Sequence, residues 1–166
     1  MKKLIMINGT MGVGKSTVCN KLLNLLSPSV YLDGDWCWNM NPFVVSEENK
    51  EMVINNISYL LKSYLNNSGY EYIIFCWVMH EEYILMEILE KLKEFDFQLY
   101  KLSLICTEEA LRKRLNKDVV NSIRKADVIS RSIERITAYE EMDTVKIDVS
   151  SITAEETANK IYSIVK

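Results

Sequence analysis

The chain has 166 residues, 48% of them hydrophobic, enough for one well-buried core and short for two ordinary domains. A net charge of −3 carries no nucleic-acid footprint. No apolar run approaches the roughly 20 residues that span a bilayer, and the stretch after Lys2 and Lys3 is too short for a secretory signal.

Strand and helix signals alternate along the chain, which predicts a parallel sheet covered by helices. Residues 3–8 read as the first strand, and a glycine-rich segment leads into a helix over 15–26 that Ser27-Pro28 ends. Val30 to Asp33 is a short second strand. Residues 36–46 lack helical periodicity and contain Pro42. Ser46-Glu47-Glu48 then has the form of a cap followed by first-turn acids, opening a helix to about Asn66 with Val53, Ile57, Leu60, Leu61 and Tyr64 on one face. The continuous apolar run from Tyr72 to Val78 suits a buried central strand. A helix over 81–94 and a strand over 97–106 follow. Thr107 caps the next helix, which pairs Glu108 with Arg112 and Glu109 with Lys113 at i,i+4. A polar stretch, 116–127, interrupts the pattern before a helix over 128–142, a strand over 144–148 and a last helix opened by the capping box Thr153–Glu156.

The first loop is the most specific feature. Gly9-Thr10-Met11-Gly12-Val13-Gly14-Lys15-Ser16-Thr17 fits GxxxxGK[ST], between a strand and a helix as that motif requires. Glycines let successive backbone N–H groups curl around a polyphosphate, and the following helix aims its positive end at it. Lys15 supplies a cation for the terminal phosphates, and the Ser16 hydroxyl a ligand for Mg²⁺.

The second strand runs into Asp33-Gly34-Asp35. Residues i and i+2 of an extended chain face one side, so both carboxylates can border the cleft beyond the strand ends, where ligands of open parallel sheets bind. One can accept a hydroxyl proton or hold Mg²⁺ through water, and the other can bond substrate hydroxyls. The competing reading is a hairpin, since Asp-Gly favours a type I′ turn.

The phosphate loop and Leu32-Asp33-Gly34-Asp35 together resemble the small P-loop kinases: gluconate kinase, adenylylsulfate kinase, shikimate kinase and the chloramphenicol phosphotransferases. The resemblance implies a three-layer α/β fold, with a five-stranded parallel sheet in the order 2-3-1-4-5 and a lid near 116–127, as one domain over 1–166. It also implies ATP with Mg²⁺ as phosphoryl donor, Asp33 as the hydroxyl-activating base and Asp35 as a substrate ligand. The strand at 72–76 lacks the terminal aspartate with which many P-loop proteins hold Mg²⁺, so Asp33 is also the candidate for the metal.

All five arginines lie between 112 and 135. In the resemblance, Arg112 or Arg114 precedes the lid, Arg124 lies in it and Arg131 follows it. Guanidinium groups there can neutralise charge on the transferred phosphoryl, with Arg114 and Arg131 as catalytic candidates and Arg112 on the nucleotide. A solvated charged face is the alternative. In the resemblance the loop after the last strand packs against adenine, so Ser150 or Ser151 can contact the base; an ordinary strand–helix turn is the alternative.

Residues 36–43 depart from the well-known members, which often place an arginine there for an anionic acceptor. This chain has no arginine before Arg112. Trp36, Trp38 and Trp77 suggest an aromatic-lined pocket for a neutral or cationic hydroxylated molecule, or else core packing. His80, the only histidine, follows the third strand and can bind substrate or cap the strand end.

The four cysteines form no CxxC or Cys/His cluster, which argues against zinc, and their apolar neighbours suggest reduced thiols in a cytoplasmic core. The expected protein is thus a cytoplasmic small-molecule kinase, monomer or homodimer, with no nucleic-acid or membrane partner. An ATP-binding regulatory module or slow NTPase is the rival.

Overall fold

In the computed structural model, residues 1–123 and 125–166 are described. Five strands, β1 (Lys2–Asn8), β2 (Ser29–Asp33), β3 (Tyr72–Cys76), β4 (Phe97–Ile105) and β5 (Val145–Asp148), form one sheet in the order β2-β3-β1-β4-β5. Every pairing is parallel. The order and direction are those expected, and they exclude the hairpin at Asp33-Gly34, because β2 pairs only with β3, in parallel, and the residues just after Gly34 form a 3-10 turn instead of a returning strand.

The helices α1 (Lys15–Leu25), α2 (Glu47–Asn66), α3 (Glu82–Lys91), α4 (Glu108–Val120), α5 (Val128–Glu134), α6 (Ile136–Glu141) and α7 (Ala154–Val165) cover the two faces. Alternate residues of the central strands feed opposite cores. Ile5 and Ile7 of β1, with Ile74 and Cys76 of β3, pack toward α1, α4 and α7. Leu4, Met6, Ile73 and Phe75 pack toward α2 and α3. A strand buried on both faces has no polar side, which explains the uninterrupted apolar runs.

The caps foreseen at helix starts form. Ser46 accepts from Asn49 N at 3.1 Å, Thr107 accepts from Ala110 N at 3.3 Å, and Thr153 and Glu156 make a reciprocal box. Several element bounds differ from expectation, most by one or two residues. The third helix is shorter, ending at Lys91 rather than 94. Residues 34–38 form a 3-10 turn, started by the Asp33 carboxylate accepting from Asp35 N at 3.1 Å. The helix α4 continues through 116–120, so that part of the polar stretch is helical; Ser122, at φ 57°, then turns the chain. The helix expected over 128–142 is divided at Arg135 into α5 and α6, and the shorter α6 sets Tyr139 into the core against β4. Among the described residues, no helix is long and apolar enough to cross a membrane.

Candidate active site

Strand β1 delivers the chain to the loop 9–14 at the carboxyl edge of the sheet. Its last residue, Asn8, is buried; its amide accepts from Ser103 Oγ at 2.5 Å and donates to Met79 O at 3.5 Å. This ties the exits of β1 and β3 together. Gly12 and Gly14 have φ of 83° and 103°, a region L side chains avoid. At Gly12 a Cβ would also fall 2.4 Å from Leu115 Cδ2, so the loop lies tight against α4. At Gly14 a Cβ would meet nothing within 4 Å, leaving the inner side of the loop open. No side chain caps α1, so its first N–H groups face that opening.

Of the loop side chains, Val13 and Thr10 are buried. The Thr10 hydroxyl donates to Ser132 O at 2.7 Å, linking the loop to α5. The Lys15 ammonium donates to Gly9 O at 2.8 Å and Thr10 O at 3.0 Å. Burial pushes its pKa down, while the Cys76 thiol and the carboxylates of Asp35 and Asp33 act in the opposite direction. Both acidic residues thus share one space with Lys15. Thr17 is exposed on the first turn of α1.

Ser16 Oγ donates to Asp33 Oδ2 at 2.6 Å. The same oxygen accepts from the Tyr31 hydroxyl at 2.9 Å, and Oδ1 accepts from Asp35 N. Both oxygens of this buried carboxylate are therefore engaged. The Tyr31 hydroxyl also lies 3.2 Å from Cys76 Sγ, at the end of β3 where the strand-end aspartate is missing. Asp35 is exposed on the turn, with Trp36 beside it, 60% exposed and edge-on to Tyr31 at 5.3 Å.

Trp77 belongs to the core rather than to a pocket. It is 8% exposed and lies so close beneath Gly34 that a Cβ there would come within 2.4 Å of its Cγ. The 3-10 turn folds directly over the indole, which leaves little of the expected substrate-contacting surface exposed. Trp38 stacks obliquely between Trp77 and Phe43. His80 follows β3 with its Nε2 3.6 Å from Glu81 Oε1. Burial and the nearby Arg135 guanidinium lower its pKa, so the imidazole is neutral at pH 7.

The arginines divide. Arg114 reaches inward, donating to Val13 O at 3.4 Å and to Val149 O, and so joins the phosphate loop to the loop after β5. Arg112 pairs with Glu108 and Arg131 with Asp127, both exposed i,i+4 pairs. Arg124 lies outside the described residues. Ser150 ties two loops together: its Oγ donates to Asp148 and accepts from Thr107 N, at the start of α4, at 2.9 Å.

Sequence reasoning passed over Tyr31, Cys76 and Arg135. Tyr31 was within reach, since it stands two residues before Asp33 and therefore faces the same side of β2. The proximity of Arg135 to His80 depends on the break between α5 and α6.

The residues present suit a magnesium nucleotide. Ser16 and Asp33 offer hard oxygen ligands a hydrogen bond apart, and the loop offers uncapped amides with a lysine. A family described as an AAA domain matches residues 5–139. A comparison with curated protein sequences finds no match. Among solved structures, the Deinococcus radiodurans tunicamycin resistance protein is 17% identical, with TM-score 0.69 over 99% of this chain and 96% of that one. The APS kinase of Mycobacterium tuberculosis, in complex with AMPPNP and APS, is 15% identical, with TM-score 0.72 over 98% and 96%. A gluconokinase from Sinorhizobium meliloti is 15% identical, with TM-score 0.68 over 99% and 98%. The chain belongs to the AAA-domain family and has the fold of the small P-loop kinases.

Proposed function

We propose that the protein is a cytoplasmic, Mg²⁺-dependent kinase that transfers the γ-phosphoryl group of ATP to a hydroxyl of a small neutral or cationic molecule. The observation that carries this reading is the convergence of Lys15, Ser16, Asp33 and Asp35 on one space at the carboxyl edge of the sheet. The similarity to kinases of gluconate, APS and shikimate supports it at the level of reaction type.

Lys15 and the loop amides would bind the phosphates, and Ser16 with Asp33 would hold Mg²⁺, which spreads the charge developing on the phosphates. The hydrogen bonds favour a division of labour between the acids that differs from the family-derived expectation. A proton arriving on Asp33 would displace a hydrogen bond from Ser16, Tyr31 or the Asp35 amide. Asp35, exposed and close to Lys15, is better disposed to take the acceptor's proton as the acceptor oxygen bonds to phosphorus and the bond to the ADP oxygen breaks. The absence of arginine or lysine between Lys21 and Lys50 favours an acceptor without negative charge. Trp36 and His80 would line its site. Arg114 and Arg131, the latter just after a lid at 116–127, would stabilise charge on the transferred group, with Arg112 and the Ser150 loop on the nucleotide.

The test is calorimetric titration of ATP with and without Mg²⁺, followed by coupled detection of ADP across a panel of neutral, cationic and anionic alcohols. Stimulation by a neutral or cationic alcohol above basal hydrolysis is the expected result. The specific observation favouring a regulatory ATP-binding module is Cys76, which stands where a metal-holding carboxylate would end β3. Tight MgATP binding with no stimulation by any alcohol would support that reading.

A further inference from the structure

We propose that Tyr31 is a positioning residue for the metal-binding pair, holding the Asp33 carboxylate against Ser16 from an anchor on the Cys76 thiol. The inference rests on the Ser16–Asp33 metal site proposed above. It adds two residues that the phosphate-loop motif does not contain.

The groups form a directed chain. Asp33 Oδ2 is the terminal acceptor, and it takes hydrogens from Ser16 at 2.6 Å and Tyr31 at 2.9 Å. A phenol has one hydrogen, so a Tyr31 hydroxyl that donates to Asp33 must accept from Cys76, whose sulfur lies 3.2 Å away. Cys76 is packed in the same buried cluster as Cys19 of α1. Cys19 and Cys76 are fully buried, and Tyr31 is 6% exposed, so water does not compete for these contacts.

The register explains why the anchor is needed. Asp33 and Cys76 are directly paired across β2 and β3, and Cys76 also pairs with Ile7 of β1. A carboxylate on β3 would stand one strand from the phosphate loop, whereas Asp33 stands two strands away. A side chain approaching from the farther strand has more freedom to miss the metal, and outer hydrogen bonds that fix a ligand's rotamer restore affinity. Tyr31 bridges the strand that lacks the acid: its phenol spans from Asp33 to the position the acid would occupy.

The experiment measures binding rather than turnover. An ATP analogue is titrated calorimetrically at a series of Mg²⁺ concentrations, for the wild type, Tyr31→Phe, Cys76→Ala and Cys76→Ser. Thermal midpoints without nucleotide report folding. Tyr31→Phe keeps the ring against Trp36 and should raise the Mg²⁺ concentration for half-maximal binding by roughly 10-fold or more, the usual effect of losing a ligand's outer partner. Metal-free nucleotide affinity should stay within a few-fold. Cys76→Ala should shift the Mg²⁺ dependence in the same direction and Cys76→Ser should largely restore it, an ordering that loss of core volume would not produce. An unchanged Mg²⁺ dependence in Tyr31→Phe overturns the inference and leaves the proposed kinase intact. If Tyr31→Phe does not fold, the Ala and Ser variants at 76 decide, and equal Mg²⁺ dependence in those two overturns it. Absence of any Mg²⁺ dependence in the wild type overturns both the inference and the metal site on which it rests.

Discussion

Ser16 Oγ and Asp33 Oδ2 stand 2.6 Å apart, joining the first turn of α1 to the end of β2 across the intervening strand β3. In the proposed site this contact would put Asp33 on the metal, with Asp35 serving the acceptor. Asp33→Asn should therefore weaken Mg²⁺-dependent nucleotide binding by roughly 10- to 100-fold. Asp35→Asn should keep MgATP affinity within a few-fold and lower kcat with an acceptor by roughly 10²-fold or more. Calorimetry and steady-state kinetics on the two variants check the division, and the reverse pattern would return the base to Asp33.

Lys15 is held by two loop carbonyls at a site where burial already disfavours its charge. A polyphosphate would give that ammonium a stronger partner. Lys15→Ala should lower nucleotide affinity by about 10-fold or more, the scale of a lost charge-assisted hydrogen bond. Equal affinity for the variant would remove Lys15 from the site.

The region proposed as a lid offers a kinetic readout. Residues 116–120 belong to α4 and should already be protected, while the turn that begins at Asn121 should exchange rapidly. Saturation with an ATP analogue should slow amide exchange over 121–127 more than over 116–120, as expected for a segment that orders on closure. Identical exchange with and without the analogue would mark a static surface.

Gly34 has space for nothing but hydrogen, because Trp77 lies beneath it. Gly34→Ala should cost roughly 1–3 kcal/mol, the usual penalty for overpacking. Since the turn carrying Asp35 would lift with it, acceptor KM should rise too. Denaturant unfolding with parallel kinetics tests both. Loss of neither would mean the turn can move without consequence.

His80 carries a pH signature. Its pKa in the folded protein lies below the ordinary 6.5, chiefly through burial and then through Arg135. The unfolded chain therefore binds more protons on the acid side, and stability rises with pH through that window. Its favourable contribution is complete above about pH 6.5 and is lost as pH falls through the folded-state value. Denaturant midpoints between pH 5 and 7 should be less pH-dependent in His80→Asn than in the wild type. Parallel curves would show that His80 does not titrate with folding.

What could be read without a structure was whatever the chain encodes locally. The loop 9–17 is a contiguous motif whose glycines and lysine act through neighbouring backbone, and the caps at Ser46, Thr107 and Thr153 act within one turn. The apolar strands predicted the parallel sheet because burial on both faces leaves no polar alternation. The tertiary structure decided which of several chemically suitable side chains meet. Trp77 and Trp36 were equivalent as aromatic residues, yet one is sealed under Gly34 and the other is exposed beside Asp35. Arg112 and Arg114 are two residues apart on α4 and face different ways, so one pairs with Glu108 in solvent and the other braces the phosphate loop. The Cys76–Tyr31–Asp33–Ser16 chain joins three separate elements. Its members come together only because β2, β3 and α1 lie side by side, a long-range arrangement that no local spacing encodes.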